Sequence, residues 1–363
     1  MISKIVVTGG PCAGKSTALS KITETFTNLG YEVLCVPESA TELILGGVSA
    51  ENLGTVLFQQ SLLKLQLAQE KIFEDSAKQL ELQGKKVLIV CDRGIMDGKA
   101  YLKSEEFYGI LGSLGLKEVQ ARDGYDAVFH LVTAANGAME FYTLKNNAAR
   151  SETAERACAV DNALISAWTG HPHLRIIKNG NGGFDEKMAD LISEISTFLG
   201  EPKPVETERK YLIEYPDINW LENNPNCQKT EIIQTYLNSA EGEELRIRQR
   251  GIAGDYVFFK TRKIKISELK RIEEEERISQ SEYNTLLMCA NPNMRPIRKT
   301  RYCLTYEGQY FEIDLYPFWK DKAILEIELR DEEKEIVFPS EIIIKEEVTD
   351  NPAYKNYALA KTL

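Results

Sequence analysis

Histidine is nearly absent from this chain, with three in 363 residues, and no two cysteines stand at Cys-x-x-Cys spacing. That excludes the common tetrahedral zinc sites. The seven cysteines (Cys12, Cys35, Cys91, Cys158, Cys227, Cys289, Cys303) are scattered and odd in number, which reads as reduced thiols rather than a disulfide framework. Long apolar runs are missing too: no stretch approaches the ~20 residues of a membrane helix. The opening Met1-Ile-Ser-Lys-Ile-Val-Val7 enters a strand at once, without the length or cleavage site of a secretory signal. The expectation is a cytoplasmic protein with no transmembrane segment. Excess positive charge is also lacking. A net charge of −11 argues against nucleic acid as a partner, though it allows a local basic pocket. No internal repeat or low-complexity tract is present.

What is present is an ordinary globular composition, 43% apolar and 27% charged, in a chain long enough for two cores. The first ~200 residues alternate short apolar runs with helical spacing. Strand-like runs fall at 4–8, 32–36, 87–91, 127–132 and 174–178, and helical stretches at 15–29, 53–83 and 185–199. This order predicts an α/β domain over 1–200, a parallel sheet with helices on both faces. Gly200-Glu-Pro202-Lys-Pro204 cannot continue a helix and reads as a linker. Beyond it, over 204–363, charges recur at every second position in seven strand-like segments. Alternate residues of a strand share one face, so these segments predict a sheet with one charged face.

Gly9-Gly10-Pro11-Cys12-Ala13-Gly14-Lys15-Ser16-Thr17 contains G-x-x-x-x-G-K-[ST], placed after a strand and before a helix. Glycines let backbone amides wrap phosphates, Lys15 neutralises β/γ oxygens, and the Ser16 hydroxyl ligates Mg²⁺. Asp92 ends an apolar run, the position at which a carboxylate holds Mg²⁺ in such sites. Asp97 lies near it. Val36-Pro37-Glu38 and Asp92-Arg93-Gly94 together resemble the deoxynucleoside- and riboside-kinase branch of P-loop proteins. That resemblance implies Glu38 as base toward an acceptor hydroxyl and Arg93 as a contact to acceptor and phosphates. Arg150 and Arg156 could fold over the γ-phosphate as a lid, or line a solvated helix face. The stretch Ile177–Lys187 lies where related kinases contact the base. Residues 1–200 as a whole resemble the NadR-related AAA-28 type of P-loop domain.

The second domain opens on Glu206-x-Glu208-x-Lys210, similar to the E-x-E-x-K entry of the CYTH, or triphosphate tunnel metalloenzyme, family. The resemblance continues through Arg246/Arg248, Lys260/Arg262, Arg271/Glu273/Glu275, Lys299/Arg301, Asp314, Glu326/Glu328 and Lys355-Asn356. It implies an antiparallel, eight-stranded α+β tunnel barrel. It also implies Mg²⁺ or Mn²⁺ on Glu206, Glu208, Asp314, Glu326 and Glu328. Lys210, Arg246, Arg248, Lys260, Arg262, Lys299, Arg301 and Lys355 would grip a triphosphate. Glu274 and Glu276, out of phase, belong to the surface.

The leading expectation is a nucleoside triphosphate bound at the P-loop, possible transfer to a small acceptor, and hydrolysis of an inorganic or organic triphosphate in the tunnel. The same domain order resembles Ttd14-type animal proteins, which implies the alternative of a nucleotide-regulated phospholipid-binding trafficking protein without turnover. Adenylate cyclases also occur in the tunnel family. No Asn-Lys-x-Asp motif separates GTP from ATP, and the oligomeric state leaves no mark in the sequence.

Overall fold

The apolar run after Met1 forms strand β1 (Ile2–Gly9), and the chain turns through the glycine-rich loop into helix α1 (Lys15–Asn28). The computed structural model describes residues 2–137, 153–180, 183–201, 207–239, 243–265, 271–329 and 335–362. The chain divides into two units, Met1–Leu199 and Gly200–Leu363.

The first unit continues with β2 (Tyr31–Val36), α2 (Ser39–Leu45), α3 (Ala50–Leu53), α4 (Thr55–Leu82) and β3 (Lys86–Asp92). A 3₁₀ segment (Ile95–Tyr101), α5 (Ser104–Ser113), α6 (Glu118–Arg122) and β4 (Ala127–Leu131) follow, then α7 (Ala154–Trp168), β5 (Leu174–Ile177) and α8 (Gly183–Leu199). The helix expected over 53–83 is broken once, at Gly54, whose φ of 76° separates α3 from α4.

The five strands pair in the order β2-β3-β1-β4-β5, all parallel. Such strands are covered on both faces and therefore read as continuous apolar runs. Ile5, Val7, Leu88, Val90, Phe129 and Leu131 pack on one side against α1 and α8. Helices α4 and α7 pack against β3 and β1. The order places β1 and β3 side by side, so the glycine-rich loop and Asp92 leave the same end of the sheet. In open parallel sheets this carboxyl edge is where ligands bind.

The second unit comprises β6 (Thr207–Glu214), α9 (Ile218–Asn223), β7 (Cys227–Tyr236), β8 (Glu243–Ile252), β9 (Asp255–Lys265), β10 (Arg271–Ile278) and α10 (Gln280–Leu286). Then come β11 (Ile297–Tyr306), β12 (Gln309–Leu315), β13 (Lys322–Leu329), β14 (Ile344–Glu347) and α11 (Asn356–Thr362). The sheet has nine strands in the order β10-β9-β8-β7-β11-β12-β13-β6-β14, antiparallel throughout, a form consistent with a tunnel. That is one strand more than the eight expected of the antiparallel sheet. Strand β7 escapes the charge pattern because it presents Thr230, Ile232, Gln234 and Tyr236 to the charged face. Among the described residues the end strands β10 and β14 do not pair with each other.

Over β6, β11, β12 and β13 the other face is largely apolar. Tyr211, Ile213, Tyr302, Phe311, Ile313 and Leu325 form a core capped by Leu221 of α9 and by Ile342. One end of the charged face is apolar as well: Leu212, Tyr236, Ile297, Tyr316 and Ile324 pack with Leu359 and Ala360 of α11.

Candidate phosphate sites of the two units

In the first unit the glycines of the loop answer to close approach. A Cβ on Gly9 (φ 151°) would lie 2.2 Å from the Leu131 carbonyl oxygen, and one on Gly14 (φ 92°) 2.4 Å from the Phe184 ring. Neither position tolerates a side chain. The first N–H groups of α1 lack intrahelical partners and carry the positive end of its dipole, which suits an anion.

Lys15 Nζ donates to the Gly9 carbonyl at 3.1 Å. Burial and the neighbouring Arg93 guanidinium push its pKa down to about 8, against the pull of Asp92 and Glu38. Asp92 is held above the usual carboxylate range, chiefly by burial. Its buried Oδ1 has no hydrogen-bond partner among the described residues. Asp92, Ser16 and Glu38 line one cleft. A buried, unsatisfied carboxylate oxygen beside a serine hydroxyl is a donor set that fits a hard divalent cation.

Arg93 has a left-handed backbone, φ 72°, unusual for a residue with a side chain. Its Nε donates to Glu38, and its Nη1 lies 3.4 Å from Asp97 Oδ2. Burial opposes ionisation of Glu38, but Arg93 outweighs it and holds the carboxyl below its ordinary value. Paired in this way, Glu38 is a weak base until Arg93 lets go. Asp97 is itself anchored by the Thr8 hydroxyl at 2.7 Å and Trp168 Nε1 at 2.5 Å.

Several of these partners lie outside any motif. Asp161, His130, Thr133, Lys187 and Trp168 surround the loop and Asp97, and they come from three separate segments, the end of β4, α7 and α8. The one sequence signal is a charged residue within an apolar helical stripe, at Asp161 and Lys187. In the stretch expected to contact a base, Asn179 donates to the Thr133 and Asn136 carbonyls and Lys187 donates to backbone carbonyls. These groups thus support the protein, leaving Phe184 against the loop. Arg156 is exposed on the first turn of α7, and Arg150 lies outside the described residues.

In the second unit cross-strand register decides which charges meet. Arg246 and Arg248 share a face with Lys299, Arg301, Asp314, Glu326, Lys210 and Glu208. Lys260 and Arg262 do not. They stand opposite Ile247 and Leu245, on the other face, while Phe259 and Thr261 stand opposite Arg248 and Arg246. Their expected place in the charged cluster is corrected, because a strand's side chains alternate faces and its register fixes which set turns inward. Glu276 pairs with Lys260 on that other face and is exposed, as expected.

The inward charges are buried or half-buried, and most are paired. Arg301 contacts Asp314 at 2.6 Å, Glu326 at 2.8 Å and also Glu312. Lys299 pairs with Asp314, and Lys210 with Glu326 and, at 3.2 Å, Glu208. Arg248 reaches Glu275 at 2.7 and 2.8 Å, two strands away. Arg250, fully buried, joins this face too. Burial pulls Lys210 toward neutrality, but Glu326 and Glu208 keep it charged. Burial and Arg301 lower Lys299 despite Asp314, and burial lowers Arg248 despite Glu275. Glu326 is held low by Lys210 and Arg301 against the opposing effect of burial.

Asp314 and Glu326, expected as metal ligands, are therefore already neutralised by cations. Glu208 differs. Burial, then Glu326, push its pKa up to about 7, and Glu328 stands directly opposite it in register. Facing carboxylates repel, and a cation between them relieves that. Among the described residues no three acidic, histidine or cysteine side chains form a metal site, and Glu206 lies outside them. Lys355 is exposed immediately before α11, and the side chains of Arg271 and Glu273 are outside the described residues.

The AAA_28 model, an AAA domain, matches residues 4–187, just over half of the chain. The chain belongs to the AAA_28 family. No curated protein matches it. Among solved structures, the inorganic triphosphatase NE1496 is 29% identical over 44% of this chain and 96% of its own, with a TM-score of 0.31. Thymidylate kinase from Ehrlichia chaffeensis is 19% identical over 55% of this chain and 98% of its own, with a TM-score of 0.35. HpAC1 from Hippeastrum, described with a dominant triphosphatase activity, is 17% identical over 34% and 80%, with a TM-score of 0.24. No helix among the described residues is long and apolar enough to cross a membrane.

Proposed function

We propose that the second unit binds and hydrolyses a triphosphate, inorganic or organic, while the first binds ATP or GTP with Mg²⁺ and activates its terminal phosphate. The observation that supports the hydrolase reading best is the set of buried cations on one sheet face. Lys299, Arg301 and Arg250 are each under a tenth exposed. Such charges are costly to bury, and the acidic partners of Lys299 and Arg301 can be exchanged for phosphate oxygens.

In this reading Lys210, Arg246, Arg248, Lys299 and Arg301 neutralise the phosphate chain and the charge that develops as the bridging oxygen leaves. Water adds to the terminal phosphorus, and tripolyphosphate yields pyrophosphate and phosphate. Glu208 and Glu328, with Glu206, would hold a Mg²⁺ or Mn²⁺ ion, which when bound polarises the phosphorus. In the first unit Lys15 and the head of α1 hold the nucleotide phosphates. Ser16 and Asp92 would hold Mg²⁺, which when bound shields the β and γ oxygens. Glu38 and Arg93 face the acceptor side of the cleft.

The test is phosphate release from tripolyphosphate by the full chain with Mg²⁺ or Mn²⁺. Turnover that Arg248→Ala and Glu208→Gln lower about a hundredfold supports the reading. A rate no higher than that of those variants would sink it. Formation of cAMP from ATP would redirect it to a cyclase.

A further inference from the structure

A phosphate-binding loop offers amides to its ligand only while its remaining polar groups are held elsewhere. Three side chains do this, and none belongs to the glycine-rich motif. Asp161 of α7 accepts the Gly10 N–H on Oδ1 at 2.8 Å. Thr133, just past β4, donates its hydroxyl to the Pro11 carbonyl at 2.5 Å. Lys187 of α8 donates to the Ala13 carbonyl at 3.1 Å. All three are buried.

Their arrangement is specific. The other two donors of the Lys187 ammonium go to the Val132 carbonyl at 2.5 Å and Asn179 Oδ1 at 2.9 Å, so its hydrogen-bonding capacity is filled. Burial lowers its pKa to about 8, and Asp161 opposes that shift from a distance. An ammonium is an expensive way to satisfy carbonyls. It makes sense where one carbonyl must not move. Asp161 is oriented in turn by His130 Nε2, 3.1 Å from its Oδ1.

We propose that Asp161, Thr133 and Lys187 are positioning residues that set the phosphate cradle before nucleotide arrives, one holding an amide of the loop and two holding its carbonyls. The proposal rests on the reading of the loop as a nucleoside triphosphate site. Pre-organisation lowers the ordering cost at binding, so its loss falls on phosphate affinity rather than on contacts to the rest of the ligand.

The test titrates the full chain with fluorescent ATP and GTP analogues plus Mg²⁺, well below each variant's melting midpoint. Thr133→Val, Asp161→Ala and Lys187→Met are expected to weaken triphosphate binding about tenfold each, from one lost charge-assisted or buried hydrogen bond. Asp161→Asn, whose carbonyl oxygen still accepts from Gly10, stays within about threefold. The loss should shrink from triphosphate to diphosphate and vanish for the nucleoside. A lower melting midpoint without that phosphate dependence overturns the proposal, as does parent-like affinity in every variant. Thr133→Val preserves volume, so the outcome stands even where Lys187→Met fails to fold. Parent protein that binds neither analogue, like Lys15→Ala, overturns the nucleotide reading and this proposal together. Parent binding with unaffected variants overturns this proposal alone.

Discussion

Lys15 carries two consequences of its burial. Its folded pKa lies near 8, below the ordinary lysine value of about 10.4. Between those values the unfolded chain holds more protons, so the free protein should gain stability as pH rises from about 8. A bound triphosphate needs the ammonium, so nucleotide affinity should fall across the same window. Fluorescent-nucleotide titration between pH 7 and 10 measures this, and an affinity flat through the window would contradict it. Lys15→Arg should flatten the fall without removing it, because Lys187 titrates near the same pH. Asp92 has the opposite sign of problem: a buried carboxylate oxygen without a hydrogen-bond partner among the described residues. Asp92→Asn should melt no lower than the parent in the absence of nucleotide. It should still lose at least about tenfold in Mg²⁺-dependent nucleotide affinity. Calorimetry with and without Mg²⁺-nucleotide separates the two effects.

Among the elements, β9 shows what register does. Lys260 and Arg262 carry the same alternation as Arg246 and Arg248, and no local property of the strand says which set turns inward. Pairing with β8 puts Phe259 and Thr261 inward instead. Lys260→Ala and Arg262→Ala should therefore leave tripolyphosphate turnover within about threefold, whereas Arg246→Ala and Arg248→Ala should lower it about a hundredfold. Equal losses in all four would put β9 in the other register. Helix α7 is the first unit's corresponding case. It bears Asp161 on the phosphate loop and Trp168, fully buried, on Asp97. Trp168→Ala should cost about 3–5 kcal/mol of stability, read from a denaturant melt. Trp168→Phe should retain most packing and cost less in the same melt, since Asp97 loses one of its two anchors and keeps the Thr8 hydroxyl.

For the whole molecule, the two units hold separate cores and separate candidate sites. Substitutions in sites that share no partners are expected to act additively. Lys15→Ala should leave tripolyphosphate turnover unchanged, and Arg248→Ala should leave nucleotide affinity unchanged. A change in either direction would reveal coupling. What the chain alone determined is local. The glycine-rich loop needs no distant partner to be recognised, since its chemistry lies in consecutive residues. Strand periodicity likewise marks a charged face, because side-chain direction alternates with every residue. Tertiary structure decided which charges meet. The ninth strand, the outward turn of Lys260 and Arg262, the neutralisation of Asp314 and Glu326 by Arg301, and the hold of Asp161, Thr133 and Lys187 on the phosphate loop all depend on pairing between separate segments, some adjacent in sequence and some far apart. Hydrogen bonds and ion pairs act over a few ångströms, and only the folded chain brings those atoms that close.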